Sequence, residues 1–194
     1  MIDAMAKQKT FPQTGQFYHI YNRGNNRQSI FFERENYLHF LRLIRQNLIN
    51  NNVDVAAYCL MPNHYHLLVY LQTDALSEAM KSLSLSYTKA INKRFNRVGA
   101  LFQGRFQKIL ITNTEHLITL TRYIHLNPVK ADLVKQPEEW EFSSYLEYAG
   151  LRNGSLPKLE WVKEQIDGDR AYQMFLEDHH LPNTPVLKGL MLDD

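Results

Sequence analysis

Val53-Asp54-Val55-Ala56-Ala57-Tyr58-Cys59-Leu60-Met61-Pro62-Asn63-His64-Tyr65-His66-Leu67-Leu68-Val69-Tyr70-Leu71 is the stretch on which the fold turns. Two apolar runs rich in aliphatic and aromatic residues, 53–60 and 64–71, flank Met61-Pro62-Asn63, a corner that favours a turn over a continuing strand. They predict the two strands of a hairpin. In the second run His64 and His66 stand at i and i+2 and share one face, while Tyr65 points to the other.

The neighbouring segments extend this hairpin into a known pattern. Upstream, Phe17-Tyr18-His19-Ile20-Tyr21-Asn22 reads as a strand ending at Arg23-Gly24-Asn25-Asn26. Between the two, Tyr37, Phe40, Leu41, Ile44 and Leu48 recur at threes and fours and predict an amphipathic helix over 35–50, stopped by Asn50-Asn51-Asn52. Downstream, Leu76, Met80, Leu83, Tyr87, Ile91 and Phe95 form a second helical stripe ending before Val98-Gly99. Residues 105–112 are strand-like. A third helix, 114–127, is capped by Asn113 or Thr114 and halted by Pro128. The order predicts an α+β, ferredoxin-like β-α-β-β-α-β fold, an antiparallel sheet with helices on one face, followed by the helix that carries Tyr123. Residues 1–150 are expected to form the main domain. Residues 151–194 read as an acidic C-terminal extension: a linker over 150–157, a helix over about 159–178 and a loose tail.

Composition excludes several classes. The 194 residues are 44% hydrophobic and 22% charged, an ordinary globular balance rather than that of a disordered chain. Cys59 is the single cysteine, so no intramolecular disulfide framework or all-cysteine zinc site can form, in keeping with a reducing compartment. No stretch approaches the ~20 apolar residues of a membrane helix, and the first dozen residues lack an apolar signal core. The expectation is a cytoplasmic protein that does not engage membranes.

The net charge of +2 hides a strong asymmetry: +1 over residues 1–80, +8 over 81–130 and −7 over 131–194. The middle block is a concentration of cations of the kind that neutralises phosphates. Asn92 to Arg97 and Phe102 to Lys108 interleave cations with aromatic rings, a mixture suited to single-stranded nucleic acid, although amphipathic packing accounts for the rings as well. The acidic tail can shield that block or dock against it.

Four residues carry candidate chemistry. His64 and His66 can converge on one divalent ion, although two exposed histidines on a hairpin give the same pattern. Tyr123 and Asn127, four apart on a helix, share a face. An asparagine oxygen suits a hard cation and a tyrosine hydroxyl can act as a covalent nucleophile, while a packed tyrosine beside a capping asparagine reads equally well. Tyr87 falls on the apolar stripe and is expected in the core. Cys59, mid-strand and without a basic neighbour, is a poor nucleophile.

Together these pieces resemble a family. Tyr18-His19-Ile20 with Asn22-Arg23-Gly24, Met61 through Leu68, Gly99 through Phe106, Tyr123-Ile124-His125-Leu126-Asn127-Pro128-Val129 and Trp140-Glu141-Phe142-Ser143-Ser144-Tyr145 resemble the single-tyrosine HUH transposases, the IS200-like family, in its REP-associated tyrosine transposase branch. The resemblance runs from about residue 17 to 150. It implies that His64, His66 and Asn127 hold a divalent cation, Mg²⁺ or Mn²⁺. It also implies that Tyr123 attacks single-stranded, hairpin-forming DNA to give a 5′-phosphotyrosine and a free 3′-hydroxyl, which a second strand can reverse. Arg23, Lys89, Lys93, Arg94, Arg97, Arg105, Lys108 and Arg122 are then the candidate DNA contacts. Two alternatives stand beside this reading: a non-catalytic DNA-binding module for repetitive palindromic hairpins, and a metal-dependent hydrolase, which lacks a carboxylate beside the histidines. Family members act as monomers or homodimers, and this sequence leaves that choice open.

Overall fold

A computed structural model of the chain describes residues 12–178. The element order is β1 (Phe17–Arg23), α1 (Arg34–Asn47), β2 (Val53–Met61), β3 (His64–Leu71), α2 (Leu76–Arg94), β4 (Gln107–Ile111) and α3 (Thr114–Lys130), then α4 (Tyr145–Tyr148), α5 (Glu160–Lys163) and α6 (Gly168–Glu177). The sheet runs β2-β3-β1-β4 with every pairing antiparallel. This is the predicted ferredoxin-like α+β arrangement.

Alternation along the strands divides the interior into two layers. Tyr18 and Ile20 of β1 and Tyr65, Leu67, Val69 and Leu71 of β3 pack under α1 and α2, against Phe40, Ile44, Leu83 and Tyr87. Leu68 of β3 faces the other way, onto Leu120, Tyr123 and Ile124 of α3. In β2 the pairing register shifts between Val55 and Ala57. This bulge moves the apolar parity by one residue, so that Val53, Val55, Tyr58 and Leu60 meet the first layer. Ala57, Cys59 and Met61 meet the second. The helices of the β-α-β-β-α-β unit lie on one face as expected, and α3 covers the opposite face.

The edge of β2 is closed by backbone from far along the chain. The Leu60 N–H donates to the Phe142 carbonyl (2.9 Å), the Ser144 N–H to the Tyr58 carbonyl (2.9 Å) and the Lys158 N–H to the Val55 carbonyl (2.8 Å). Ser144 Oγ accepts from the Tyr58 N–H, and the Trp140 indole donates to the Leu60 carbonyl. The Trp140-to-Tyr145 motif is thus a cover for a strand edge that would otherwise expose unpaired backbone.

Two boundaries differ from expectation. The α3 helix runs past Pro128 to Lys130, with Asn113 capping its start by accepting from the His116 N–H at 2.8 Å. Proline costs only its own N–H here, and the last turn still closes through Ala131 N–H to the Asn127 carbonyl. The helix expected over 159–178 is two helices, α5 and α6, and the segment after residue 150 does not stand apart. Val162, Tyr172 and Phe175 are buried against α3 and α4, and Trp161 stacks on Tyr70 with ring centroids 4.0 Å apart. The tail from His179 lies outside the described residues.

Candidate active site

The face of the sheet beneath α3 is where polar residues replace the apolar alternation. His19 and Tyr21 of β1 and His64 and His66 of β3 lie on it, Tyr21 directly opposite His66 and Arg23 opposite His64. His66 is fully buried and its ring meets the Tyr123 ring edge-on, centroids 5.4 Å apart. The His64 ring lies 5.0 Å from His66 at 84°. Tyr123 is 3% exposed, held in place by the apolar residues of α3 that seat the helix on Leu68 and Met61. One turn on, Asn127 donates through Nδ2 to the Tyr123 carbonyl at 2.9 Å, which leaves its oxygen as the end able to take a cation. One further turn on, the Lys130 ammonium sits 5.7 Å from the Tyr123 ring centroid.

The histidines suit metal ligation. Asn63 donates through Nδ2 to the Arg27 carbonyl, so its Oδ1 faces His64 Nδ1, 2.6 Å away. His64 therefore donates from Nδ1, and in its neutral form its Nε2 carries a lone pair. His66 Nε2 is buried without a hydrogen-bond partner, which suits a ligand position. Burial, reinforced by His64, His19 and Lys130, holds the His66 imidazole well below its usual protonation range, so it stays neutral. The described residues hold no group of three or more His, Cys, Asp or Glu side chains placed to bind an ion. Two imidazoles thus need a donor of another kind, and the Asn127 oxygen is a group of that chemistry one turn from Tyr123.

The remaining candidates separate. Tyr87 is buried in the first layer, its hydroxyl donating to the Ile30 carbonyl at 2.8 Å, and Tyr65 is buried beside it. Cys59 is fully buried, which pushes its thiol far up. The cationic block is divided by the sheet. The α2 helix packs on the face opposite the histidines, so Lys89, Lys93 and Arg94 lie across the sheet from Tyr123, and Arg94 pairs with Glu33 at 3.1 Å. Lys108 shares the face of its partner Ile20, also the α1/α2 side. Arg97 lies over the Phe32 ring. Arg122 is on α3 but pairs with Asp178 of the C-terminal segment at 2.9 Å.

Arg23 and the loop containing Arg105 lie at the histidine end. Arg23 Nε donates to Gln103 Oε1, Gln103 N–H to the Arg23 carbonyl, and Asn22 Nδ2 to the Gly104 carbonyl. Asn22 and Arg23 therefore pin the 99–106 loop to the end of β1. Gly24 allows the chain to turn there, since a Cβ would lie 1.9 Å from the Gln28 carbonyl oxygen. Arg23, Asn25, Asn26, Arg27 and Gln103 line an open cleft of about 400 Å³ beside Asn63.

Sequence reading gave no site role to His19 or Lys130. Lys130 lies seven residues after Tyr123 and three after Asn127, so helical spacing places it on their face. His19 lies in the Tyr18-His19-Ile20 motif, but its approach to His66 follows only from the β1–β3 pairing.

Comparison with known proteins places the chain in a family. Residues 13–127 match the family described as "Transposase IS200 like", and the chain belongs to it. It is also similar to individual members. Over 103 residues it is 30% identical to a protein of Haemophilus influenzae named for the REP-associated tyrosine transposases, covering 47% of this chain and 58% of that one. Over 116 residues it is 27% identical to the REP-associated tyrosine transposase of Escherichia coli, covering 59% and 66%. The matches thus span under two thirds of those relatives. The fold is shared with a solved REP-associated tyrosine transposase bound to a REP hairpin: TM-score 0.63, 20% identity, 79% of this chain and 98% of that one. Among the described residues no helix is long and apolar enough to cross a membrane.

Proposed function

We propose that this chain is a DNA strand transferase that cleaves and rejoins single-stranded, hairpin-forming DNA through Tyr123. One observation carries the reading: Tyr123 stands edge-on to His66, with His64 beside it and Asn127 one turn away. In the step, the Tyr123 oxygen bonds to phosphorus, the bond from phosphorus to the 3′-oxygen breaks, and that oxygen leaves with a proton as a 3′-hydroxyl. The product is a 5′-phosphotyrosine, and attack by another 3′-hydroxyl reverses the sequence without loss of the phosphodiester. His64, His66 and Asn127 would hold a divalent cation, Mg²⁺ or Mn²⁺. Such an ion, when bound, polarises a phosphoryl oxygen and neutralises developing charge. Lys130 lies where a cation stabilises the phenoxide electrostatically.

The DNA is proposed to enter at the His64 end of the sheet, through the cleft of Arg23, Arg27 and Gln103. Unstacked bases and phosphates both find partners among arginine, asparagine and glutamine side chains there. Similarity to the hairpin-bound transposase supports hairpin DNA as the substrate class.

The test is to incubate the protein with single-stranded hairpin DNA and Mn²⁺ and to look for an adduct that survives denaturation. The expected result is an adduct in wild type and Tyr87→Phe that falls by at least ~1,000-fold in Tyr123→Phe. Cleavage without an adduct points to the hydrolase, and binding without cleavage to the DNA-binding module. Either outcome overturns the proposal.

A further inference from the structure

His19 is fully buried on the site face, one of three histidines there, and the chemistry above leaves it without a task. Its Cα partner across β1 and β3 is Leu68, while that of His66 is Tyr21. His19 and His66 are therefore diagonal neighbours, close enough for long side chains to meet. They do meet: His19 Nε2 and His66 Nδ1 are 2.9 Å apart, with the rings stacked at 5.1 Å and 19°.

We propose that His19 is a positioning residue that fixes the tautomer and aim of the metal ligand His66. One proton lies between two neutral imidazoles in such a bond, and there are two places for it. His66 Nε2 and His19 Nδ1 are both buried with no hydrogen-bond partner, so either placing sets one N–H against no acceptor, and what distinguishes them is ligation. If His19 donates, the proton of His66 sits on Nε2 and blocks it. If His66 donates from Nδ1, its Nε2 presents a lone pair, the form a cation requires. His64 reaches that same form through a different partner, the Asn63 oxygen held by the Arg27 carbonyl. Both ligands would thus be set by an acceptor at Nδ1, one a loop amide at the mouth of the cleft and the other an imidazole buried on the sheet. The asymmetry has a physical reason. The half-buried His64 can be fixed by a loop, whereas His66 is sealed beneath α3, where only a neighbouring strand can supply the acceptor.

The inference rests on the proposed metal set, so the experiment separates the two. Nitrogen-15 NMR of histidine-labelled, metal-free protein reads the tautomer, and EPR titration with Mn²⁺ reads affinity. Wild type should carry the His66 proton on Nδ1. His19→Ala should move it to Nε2 and weaken Mn²⁺ binding by ~10- to 100-fold. His19→Gln, whose amide oxygen can accept from Nδ1, should keep the tautomer and restore most of the affinity. A wild-type His66 protonated at Nε2 overturns the inference, and this reading stands even if His19→Ala does not fold. So does a folded His19→Ala that keeps both the Nδ1 proton and Mn²⁺ affinity within twofold. His64→Ala is measured alongside. If it loses Mn²⁺ while His19→Ala does not, only the role of His19 fails; if wild type binds no Mn²⁺ at millimolar concentration, the metal reading fails and takes this inference with it.

Discussion

The two faces of this sheet are made from alternate residues of the same strands, yet they do opposite things. Beneath α1 and α2, Tyr18, Ile20, Tyr65 and Leu67 interlock with Phe40, Ile44 and Leu83 in an apolar layer whose buried polar atoms are few, the Tyr87 hydroxyl on the Ile30 carbonyl and the Tyr65 hydroxyl with no hydrogen-bond partner. Beneath α3, His19, Tyr21, His64 and His66 occupy the corresponding places, and His66 Nε2 is left without a partner. A fold tolerates such an unsatisfied atom when the rest of the structure holds it there, and the first layer does the holding. Stability and chemistry are thus divided by the pleat, one residue apart in sequence.

That division can be broken or sharpened by mutation. The largest effect is expected from Phe40→Ala, which opens a cavity in the first layer and should cost roughly 3–5 kcal/mol in urea unfolding. Adduct formation per folded molecule should stay unchanged at a denaturant-free temperature well below the midpoint. A fall in the intrinsic rate would show that the layers are mechanically coupled.

The second prediction concerns pH and the α3 side. His125 is fully buried beside Ser144 Oγ, and burial lowers its protonation to about 3 from 6.5. The folded state thus binds this proton less readily than the unfolded state. The stability His125 permits is complete above about pH 6.5 and is lost progressively as pH falls toward 3. At pH 5 the loss is on the order of 2 kcal/mol. His125→Gln should flatten the slope of unfolding free energy between pH 6.5 and pH 4. An unchanged slope would assign acid sensitivity to other groups.

Tyr87→Phe should be smaller. It removes the hydroxyl bound to the Ile30 carbonyl and should lower stability by about 1 kcal/mol without altering adduct yield. Arg94→Ala should be smallest. Its pair with Glu33 is exposed, and such pairs contribute little to stability. Lying across the sheet from Tyr123, it should also change hairpin affinity less than Arg27→Ala, as fluorescence anisotropy can show. The reverse order would place the DNA along α2.

Most of the sheet was legible in the sequence because its signals are local. The Pro62-Asn63 corner, the stripe from Leu76 to Phe95 and the apolar run of β3 each specify an element without reference to the rest of the chain. The pairing of His64 with His66, and the exclusion of Tyr65 and Tyr87, followed from the same periodicities. What escaped depends on distant segments. The approach of His19 to His66 requires β1 to lie beside β3 in one register, and a single-residue slip would reverse it. The division of the cations required knowing which face α2 covers. The extension of α3 through Pro128 depended on a turn closing beyond it, where a local rule forecast a stop.

The backbone laid along β2 by residues 142–144 and 158 has one more consequence. During synthesis, β2 leaves the ribosome some 80 residues before Phe142 and Ser144, its later neighbours. Until they arrive, the Leu60 N–H and the Tyr58 carbonyl face outward on a nascent sheet, and closing so long a loop is slow relative to hairpin formation. Assembly is therefore vectorial at its start and retrograde later: backbone that emerges some 80 residues on completes a strand made among the first, and a chain stalled before Phe142 presents a raw edge to other nascent chains.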